Sequence, residues 1–372
     1  MEKYSRWRDA GTGIQPFLPP VPPRSDSTAI TLATNGFRLL VGPALAIVRL
    51  AVEGLVFGLY VLFIQGIGGI LAFAPPFQRI WNRFWTSILA RIALFAMGFY
   101  YIHSECVSVR RGRGHATGKQ KLTAASVGSG DIIVANSSSY IDILYLTFRF
   151  APLFTQIDST KNEVRFISAT QALLQCGQYP VASVNDKSYE LKEAAMNAKK
   201  QGLGPIVVFP EATTSNGRAL LKFVPLFKKF TIPENQVKIH VLALKYEYNH
   251  FSPTYTVGNK LVHMLKLCCQ ISNSLSVKWL APNESPSSPT YSVANTVAAS
   301  ASAPTAAVPN AATDALANDG DTLGAQLLTL LGGIARLRKT SLGVNDKKEF
   351  LDYYFQRTGA TKSKDAKSKK TK

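Results

Sequence analysis

Cysteine and histidine are scarce in this chain. Its 372 residues include four cysteines and five histidines. Cys106, Cys176, Cys268 and Cys269 follow neither the spacing of a metal site nor that of a disulfide framework, and no metal site is predicted. The adjacent pair lies in an apolar run. That placement indicates buried, reduced thiols and a domain that faces the cytosol.

Acidic residues are also few. The chain has 23 Asp and Glu against 42 Lys and Arg, a formal net charge of +19 at pH 7. Such a charge suits nucleic acid, an anionic membrane surface or a polyanionic ligand. The basic residues are spread along the chain, and there is no RNA-recognition signature, zinc-ligand spacing or basic zipper. Lipids and phosphorylated ligands are therefore the expected partners, and nucleic acid is not.

No apolar segment opens the chain, so no cleavable signal peptide is predicted. Residues 1–36 are polar and proline-rich, and we expect them to be irregular and exposed. Between Glu53 and Arg79 lie 25 residues without a charge. Part of this run, 55–73, is about 28 Å long as a helix, enough to cross a hydrocarbon core.

A membrane anchor is therefore predicted at 37–105, with a buried helix of a soluble protein as the alternative. A second apolar run, 85–102, carries aromatic residues typical of a membrane interface. Both flanks of the first run are basic, which leaves open one span or a hairpin. The stretch around Arg38 and Arg49 is expected to lie along the interface.

Beyond Asp131, short buried strands alternate with amphipathic helices. Strands are predicted at 132–135, 165–168, 181–184, 206–209 and 237–246, with helices after Asp142 and at 189–201. This alternation predicts an α/β domain at 106–357 with a central, largely parallel sheet. The composition of 283–322 indicates a disordered insert. Helices are predicted at 323–337 and 347–354, before a lysine-rich tail at 358–372.

Two of the strands end in polar loops. The strand 132–135 runs into Asn-Ser-Ser-Ser-Tyr-Ile-Asp, and its serines place Asp142 in the first turn of a helix. The strand 206–209 runs into Pro-Glu-Ala-Thr-Thr-Ser-Asn-Gly-Arg at 210–218. The guanidinium fork of Arg218 and the close approach allowed by Gly217 suit a bound phosphate. Alternatively, this loop is a plain connection in which Glu211 pairs with Arg218.

Together the two loops resemble the first and third motifs of the glycerolipid acyltransferases, the 1-acyl-glycerol-3-phosphate acyltransferases and their lysophospholipid relatives. The family's His-x-x-x-x-Asp is matched at Asp142, but Ser137 stands at the histidine position. Its Phe-Pro-Glu-Gly-Thr is matched with Ala212 in place of the glycine. Weaker similarities to the second and fourth motifs occur at 184–187 and 241–244. The resemblance spans roughly 136–246.

This resemblance implies a single acyltransferase domain behind a membrane anchor. The implied reaction moves an acyl group from acyl-CoA, a co-substrate, to lysophosphatidic acid, and no cofactor is implied. The chain is most similar to fungal members, but its insert and 265–280 also resemble the lysophosphatidylcholine branch. The acceptor head group and the acyl chain therefore stay open. The implied location is the endoplasmic reticulum membrane with a cytosolic active site, or a lipid droplet, in contact with membrane lipids.

In the family, the motif histidine is the base and the aspartate orients it. Ser137 cannot replace the base, because a neutral hydroxyl has almost no affinity for a proton. One alternative is that His240 or His263 supplies the base. Another is that Asp142 acts alone, or through a water or Ser137, with positioning carrying most of the rate. A third is a lipid-binding protein without catalysis.

The remaining roles are assigned to the third motif and to a basic residue outside it. Glu211 is expected to organise the loop by accepting hydrogen bonds. Arg218 and Lys187 are expected to contact the acceptor phosphate, although Lys187 can equally be a solvated surface charge. The loop itself is expected to be shaped by Thr213, Thr214, Asn216 and Gly217.

Overall fold

The fold was analysed in a computed structural model, which describes residues 3–22, 28–109, 126–180, 187–230, 237–289, 291 and 320–358. The N-terminal apolar region forms a helical hairpin. Helix α1 (Thr28–Tyr60) continues through a π-helical segment (Val61–Ile67), the short α2 (Gly68–Ile70) and a 3-10 turn (Leu71–Phe73). Helix α3 (Pro75–Ala96) then runs back along α1. Within the described ranges, one helical segment, Leu40–Phe73, is long and apolar enough to cross a membrane.

The α/β domain is built on a seven-stranded sheet in the order β1-β8-β7-β2-β5-β3-β4. Its strands are β1 (Ile102–Val107), β2 (Ile132–Ala135), β3 (Leu153–Asp158), β4 (Glu163–Ile167), β5 (Ile206–Val208), β7 (Ile239–Glu247) and β8 (Ser274–Leu280). The central strands β7, β2, β5 and β3 are parallel, whereas β8 and β4 run antiparallel to β7 and β3. This confirms the predicted α/β class and largely parallel sheet.

Helices cover both faces of this sheet. They are α4 (Tyr140–Phe150), α5 (Ala169–Gln175), α6 (Leu191–Gln201), α7 (Lys260–Cys268) and α8 (Thr322–Ala335). The last helix, α9 (Val344–Thr358), packs in a separate cluster with the N-terminal segment and Leu221. In β2, Ile132 and Val134 face a core that includes α6 and α8, whereas Ile133 and Ala135 face α3, α4 and α7. Burial on both faces explains why β2 is an unbroken apolar run. A small parallel pair, β6 (Ala219–Leu220) and β9 (Arg338–Lys339), follows the third motif.

The N-terminal segment differs from its prediction. Residues 3–22 are largely irregular, as expected, but α1 already begins at Thr28. The segment is also not exposed throughout, because Trp7 and Phe17 are buried in a cluster with Phe350 and Leu351 of α9. A proline-rich segment with only a few apolar side chains can therefore still be anchored by them.

Arg49 is not an interfacial charge, contrary to the prediction. It is buried and donates to the main-chain oxygens of Cys268 and Ile271, at 3.0 and 2.8 Å, and to the Tyr100 hydroxyl. Positive charge is favourable at the carbonyl end of a helix. Arg49 therefore ties α1 to the end of α7.

Domain limits also shift. Strand β1 begins at Ile102, so the end of the predicted anchor range 37–105 belongs to the sheet. Both ends of the predicted insert are ordered: Glu284 accepts from the Val109 amide at 2.7 Å, and Asp321 accepts from the Phe227 amide at 2.9 Å. The predicted strand 181–184, the middle of the insert and most of the lysine-rich tail lie outside the described residues.

Candidate active site

The first and third motifs meet at one edge of the sheet. Strands β2 and β5 are parallel neighbours, and each motif follows the carboxyl end of its strand. Crevices at this edge are the usual ligand sites of open α/β sheets. The Ser215 amide donates to the Ser137 carbonyl at 3.0 Å, which joins the two loops directly. A side chain at position 217 would meet the Ser138 hydroxyl oxygen 3.3 Å from its Cβ. Gly217 therefore allows their close packing.

Asp142 lies in the first turn of α4, as predicted. Its Oδ2 accepts from the Ser138 and Ser139 amides at 2.7 and 2.8 Å, and Oδ1 accepts from the Tyr246 hydroxyl. The side chain of Ser139 accepts in turn from the helix, which completes a capping box. Complete burial raises the pKa of Asp142 to about 7, and its three hydrogen bonds oppose this shift.

The remaining side chains of the first motif are fixed by β7 and by the loop after it. Asn136 donates to the Leu244 carbonyl at 3.0 Å and accepts from the Leu244 amide at 2.8 Å. Ser139 Oγ donates to the Pro253 carbonyl at 2.7 Å. Ser137 is half-buried, and its hydroxyl has no hydrogen-bond partner within the described part of the chain. It is therefore the one polar side chain of this loop left for a ligand.

In the third motif, fewer of the buried polar side chains have a hydrogen-bond partner. Both carboxyl oxygens of Glu211 and the hydroxyls of Thr213 and Thr214 are buried without a hydrogen-bond partner among the described residues. Burial raises the pKa of Glu211 well above its usual value. The nearby amides of Leu221 and Ser137 oppose that shift without reaching hydrogen-bond geometry, whereas Asp142 adds to it. A carboxyl group with so high a pKa can hold its proton at neutral pH and donate it.

Ala212 occupies a position that suits glycine. Its φ is +51°, in the left-handed region that side chains disfavour. Glycine reaches this region without steric cost, which gives a physical reason for glycine at this position of the family motif. The substitution leaves the loop fold intact, with a local strain on the order of 1 kcal/mol.

Asn216 and Arg218 are bonded to the N-terminal segment. The Asn216 side chain donates to the Gln15 and Leu18 carbonyls at 2.7 and 3.0 Å, and Arg218 donates to the Val21 carbonyl at 2.9 Å. The alternative pairing of Arg218 with Glu211 is not formed, because Glu211 is unpaired. The predicted phosphate contact of Arg218 stays untested, with one guanidinium nitrogen already engaged.

Lys187 lies apart from these loops. It is exposed and next to Ser188, which donates to Glu163 at the start of β4. Strand β4 is two strand positions from β5 at the same edge, on the order of 10 Å away. A contact of Lys187 with the acceptor phosphate therefore stays a prediction, and it requires a ligand that extends along the edge.

Neither proposed substitute for the motif histidine is well placed. His240 lies at the amino end of β7, with Nε2 3.4 Å from an Asp131 oxygen, at the edge of the sheet opposite the motifs. His263 is closer, but Nδ1 lies 3.1 Å from the Tyr140 hydroxyl and Nε2 3.1 Å from the Thr254 carbonyl. A carbonyl can only accept, so Nε2 carries the proton and Nδ1 accepts from Tyr140. Burial lowers the pKa of His263 to about 4, which makes it a weak base.

Sequence reasoning missed two parts of the site. Tyr246 lies in a mostly buried strand, where an aromatic residue is expected to serve the core, so its hydroxyl bond to Asp142 gave no signal. The loop 252–256 supports the first motif, since the Tyr255 amide donates to the Ser138 carbonyl at 2.8 Å. Its sequence Ser-Pro-Thr-Tyr-Thr follows a strand just as the two motifs do, and this pattern could have marked it.

Comparisons with known proteins agree with the motif assignment. The chain is 29% identical over 227 residues to a Schizosaccharomyces pombe protein named "Putative lysophosphatidic acid:oleoyl-CoA acyltransferase", covering 61% of this chain and 68% of that protein. It is 28% identical over 205 residues to lysophospholipid acyltransferase LPEAT1 of Arabidopsis thaliana, covering 51% of this chain and 49% of that protein. No family model matches the chain.

Among solved structures, the chain matches the 1-acyl-sn-glycerophosphate acyltransferase PlsC of Thermotoga maritima. The identity is 14% and the TM-score 0.32, over 63% of this chain and 84% of that one. The chain spans 68% and 49% of the lengths of the two sequence relatives. In sequence and in its two adjoining motifs, the chain is therefore similar to acyltransferases of the lysophosphatidic acid and lysophospholipid type.

Proposed function

We propose that this chain transfers an acyl group from acyl-CoA to the free hydroxyl of lysophosphatidic acid. The hydroxyl oxygen forms a bond to the thioester carbonyl carbon, the carbon–sulfur bond breaks, and the hydroxyl proton passes to the thiolate of CoA. The products are phosphatidic acid and free CoA. The name of the S. pombe relative supports this choice of substrates.

One observation supports the proposal most strongly: the loop of the third motif, which holds unpaired buried polar atoms, is hydrogen-bonded to the half-buried Ser137 of the first motif. The Ser137 carbonyl holds the Ser215 amide at 3.0 Å, and Glu211, Thr213 and Thr214 are unpaired among the described residues. An unpaired buried polar group costs about 1–3 kcal/mol. A loop that retains several of them is suited to a polar ligand that satisfies them.

Asp142 is the proposed proton acceptor. Its pKa of about 7 suits a group that exchanges a proton near neutral pH. Because Asp142 is fully buried, it requires a relay to the acceptor hydroxyl, and the Ser137 hydroxyl or a water fills that role. Without an imidazole, positioning of the two substrates carries most of the rate. We therefore expect turnover about 10²–10⁴-fold below that of a site with a positioned base.

The hairpin of α1 and α3 is the proposed membrane anchor. Its outer faces expose large apolar side chains, among them Leu55, Phe57, Phe73, Phe77 and Phe84. Arg49 and Arg79, on either side of the uncharged run, both donate to main-chain carbonyls of the α/β domain. Both flanks therefore stay beside the domain, which favours a hairpin over a single span. We place it in the endoplasmic reticulum membrane with the site facing the cytosol, and a lipid droplet also suits a hairpin.

The test is transfer of labelled oleate from oleoyl-CoA to lysophosphatidic acid by the purified, detergent-solubilised chain. We expect slow turnover that Asp142→Asn and Glu211→Ala each lower by about 10²-fold or more. Lysophosphatidylcholine and lysophosphatidylethanolamine as acceptors test the head group, and a phosphomonoester acceptor is expected to be preferred. Equal rates with all three acceptors would remove the phosphatidic acid assignment and leave a general lysophospholipid acyltransferase.

A second candidate is a lipid-binding protein without catalysis, and Ser137 is the observation that favours it. This candidate predicts that lysophosphatidic acid binds with unchanged affinity in the Asp142→Asn variant and is never acylated. Binding without turnover above a protein-free blank would establish it in place of the acyltransferase.

A further inference from the structure

The N-terminal segment lies across the third motif. Residues 14–21, called the strap below, present four main-chain carbonyls to two residues of the loop. Those of Gln15 and Leu18 accept from the Asn216 side chain, that of Pro16 accepts from the Asn216 amide at 2.8 Å, and that of Val21 accepts from Arg218. Asn216 is buried, so its three bonds to the strap lie out of solvent. The strap is therefore part of the loop's own hydrogen bonding.

The strap is also anchored to α9. Phe17 is 1% exposed, and its ring centroid lies 5.6 Å from that of Phe350. Just before the strap, Asp9 accepts from the Ser341 amide and hydroxyl at 3.0 Å each. Burial of this ring removes apolar surface from water, which stabilises the attachment of the strap to α9. An anchor of this kind suits a permanent wall better than a segment that leaves on every turnover.

Through Phe17 the strap also reaches the first motif. The Lys347 amine is fully buried, lies 5.1 Å from the Phe17 ring centroid and donates to the Thr256 carbonyl at 2.9 Å. Thr256 follows Tyr255, whose amide donates to the Ser138 carbonyl at 2.8 Å. The strap thus contacts the third motif at Asn216 and is linked to the first motif through Lys347 and the loop 252–256.

We infer that the strap is a fixed wall of the acceptor site that holds the first and third motifs at their working separation, and that Asn216 is the positioning residue that fastens it. The inference rests on the proposed function for its kinetic part alone. In this role, the side-chain amide of Asn216 donates to the strap at Gln15 and Leu18. Arg218 is exposed, and only its bond to the Val21 carbonyl is used by the strap.

The structural part is tested by hydrogen exchange on the detergent-solubilised full chain and on a chain lacking residues 2–22. In the full chain, we expect slow exchange in 213–218, because Pro16 accepts from the Asn216 amide. The deletion is expected to speed exchange there at least tenfold and to leave the amides of β2 and β7 unchanged. Unchanged exchange in 213–218 after the deletion would overturn the inference, whether or not the chain is an enzyme.

The kinetic part is tested by a double-mutant cycle between Asn216→Ala and the deletion. Each change alone is expected to raise KM for lysophosphatidic acid about tenfold, as the loss of one or two buried hydrogen bonds would, with a smaller change in KM for oleoyl-CoA. Together they are expected to do little more than either alone, because both remove the same contacts. Additive effects would show that Asn216 acts independently of the strap, and increased turnover after deletion would make the strap an inhibitor.

Two further variants keep the result interpretable if the deleted chain folds poorly. Phe17→Ala removes the anchor and keeps the strap carbonyls, and we expect a smaller increase in exchange at the same amides. Arg6→Ala is the control, since it removes the exposed 2.6 Å ion pair with Glu349 and a contact with the Trp7 ring, 5.7 Å from its centroid, and leaves Phe17 and the strap carbonyls in place. Exchange in Arg6→Ala is expected to equal that of the full chain, and an equal effect of both substitutions would overturn the inference. Absence of turnover in the full chain would count against the proposed function, while these exchange results would still stand.

Discussion

The two motif loops lie side by side, and they differ in how many of their buried polar side chains are hydrogen-bonded. In the first, Asn136, Ser138, Ser139 and Asp142 all have hydrogen-bond partners. In the third, Glu211, Thr213 and Thr214 have buried oxygen atoms without any partner in the described ranges. Since paired groups stabilise a fold and unpaired ones cost free energy, the first loop contributes to stability. The third loop keeps unpaired polar groups that lower the stability of the fold, which indicates that these groups have a function.

With Ser137 at the histidine position of the first motif, Asp142 has no imidazole beside it in the motif to orient. The aspartate of the first motif keeps a structural task, because it caps α4 and binds Tyr246. Asp142 is therefore expected in this chain even if it orients no imidazole. The third motif has no such second task that would explain its unpaired groups. Its near-complete sequence is the stronger sign of a working site.

The largest expected effect is that of Glu211→Ala on turnover. We expect a loss of about 10²–10³-fold, typical of removing one preorganised polar group from a site, with the thermal midpoint nearly unchanged because no hydrogen bond is lost. Glu211→Gln is the matched variant that keeps the shape of the side chain, and it is expected to lower turnover with little change in stability. Rates and thermal unfolding in detergent measure both quantities. A strong loss of stability in Glu211→Gln would mean that the third loop is structural after all.

Substitutions of Asp142 are expected to lower stability as well as turnover. Asp142→Ala leaves two amides and the Tyr246 hydroxyl without a buried acceptor, so we expect a loss of about 3–5 kcal/mol in the free energy of unfolding. Asp142→Asn keeps an acceptor for the amides, and its cost is expected to be under half as large. Chemical denaturation of the three chains measures the difference. Equal costs for both variants would refute the capping role.

The pH dependence of stability follows from the raised pKa of Asp142. A carboxyl group whose folded-state pKa is about 7, against 3.8 for the unfolded chain, stabilises the fold fully below pH 3.8. That contribution is lost as the pH rises from 3.8 to about 7, a change of about 4 kcal/mol. Asp142→Asn is expected to flatten this slope, which lies between these two pKa values. Identical slopes for both chains would show that the pKa of Asp142 is not raised.

The smallest expected effects come from hydroxyl groups, one in each loop. Ser139→Ala removes the N-cap of α4 and the bond to Pro253, so we expect a loss of about 1–2 kcal/mol. Thr214→Val removes a buried hydroxyl that has no partner in the described residues and is expected to be neutral or slightly stabilising. Thermal unfolding of the Ser139→Ala and Thr214→Val variants measures the two changes in stability. If Thr214→Val proves the more destabilising, the contrast between the loops is wrong.

Much of the fold could be predicted because its signals are local. Strand β2 matched its predicted limits, since four apolar residues lie between polar flanks, and the serines before α4 placed Asp142 correctly. The motif loops could be brought together from topology alone, because parallel strands share a carboxyl edge. Helices α6 and α8 followed from periodicity in the same way.

Contacts between distant parts of the chain gave no such signal. The bonds of Asn216 to residues 15–18 use main-chain carbonyls some 200 positions away, and every residue type has a carbonyl. Arg49 resembled an interfacial charge because nothing local shows that it reaches the end of α7. The unpaired state of Glu211 is likewise a property of packing, so sequence could suggest its importance and not its environment.

The central claim is that this site keeps the geometry of acyl transfer and lacks only the motif base. The most direct measurement is the rate of oleate transfer to lysophosphatidic acid by Ser137→His, with Ser137→Ala as the control. We predict that Ser137→His raises turnover at least tenfold over the unchanged chain, and that adding Asp142→Asn removes the gain. No turnover in Ser137→His, with the protein folded and lysophosphatidic acid bound, would contradict the claim.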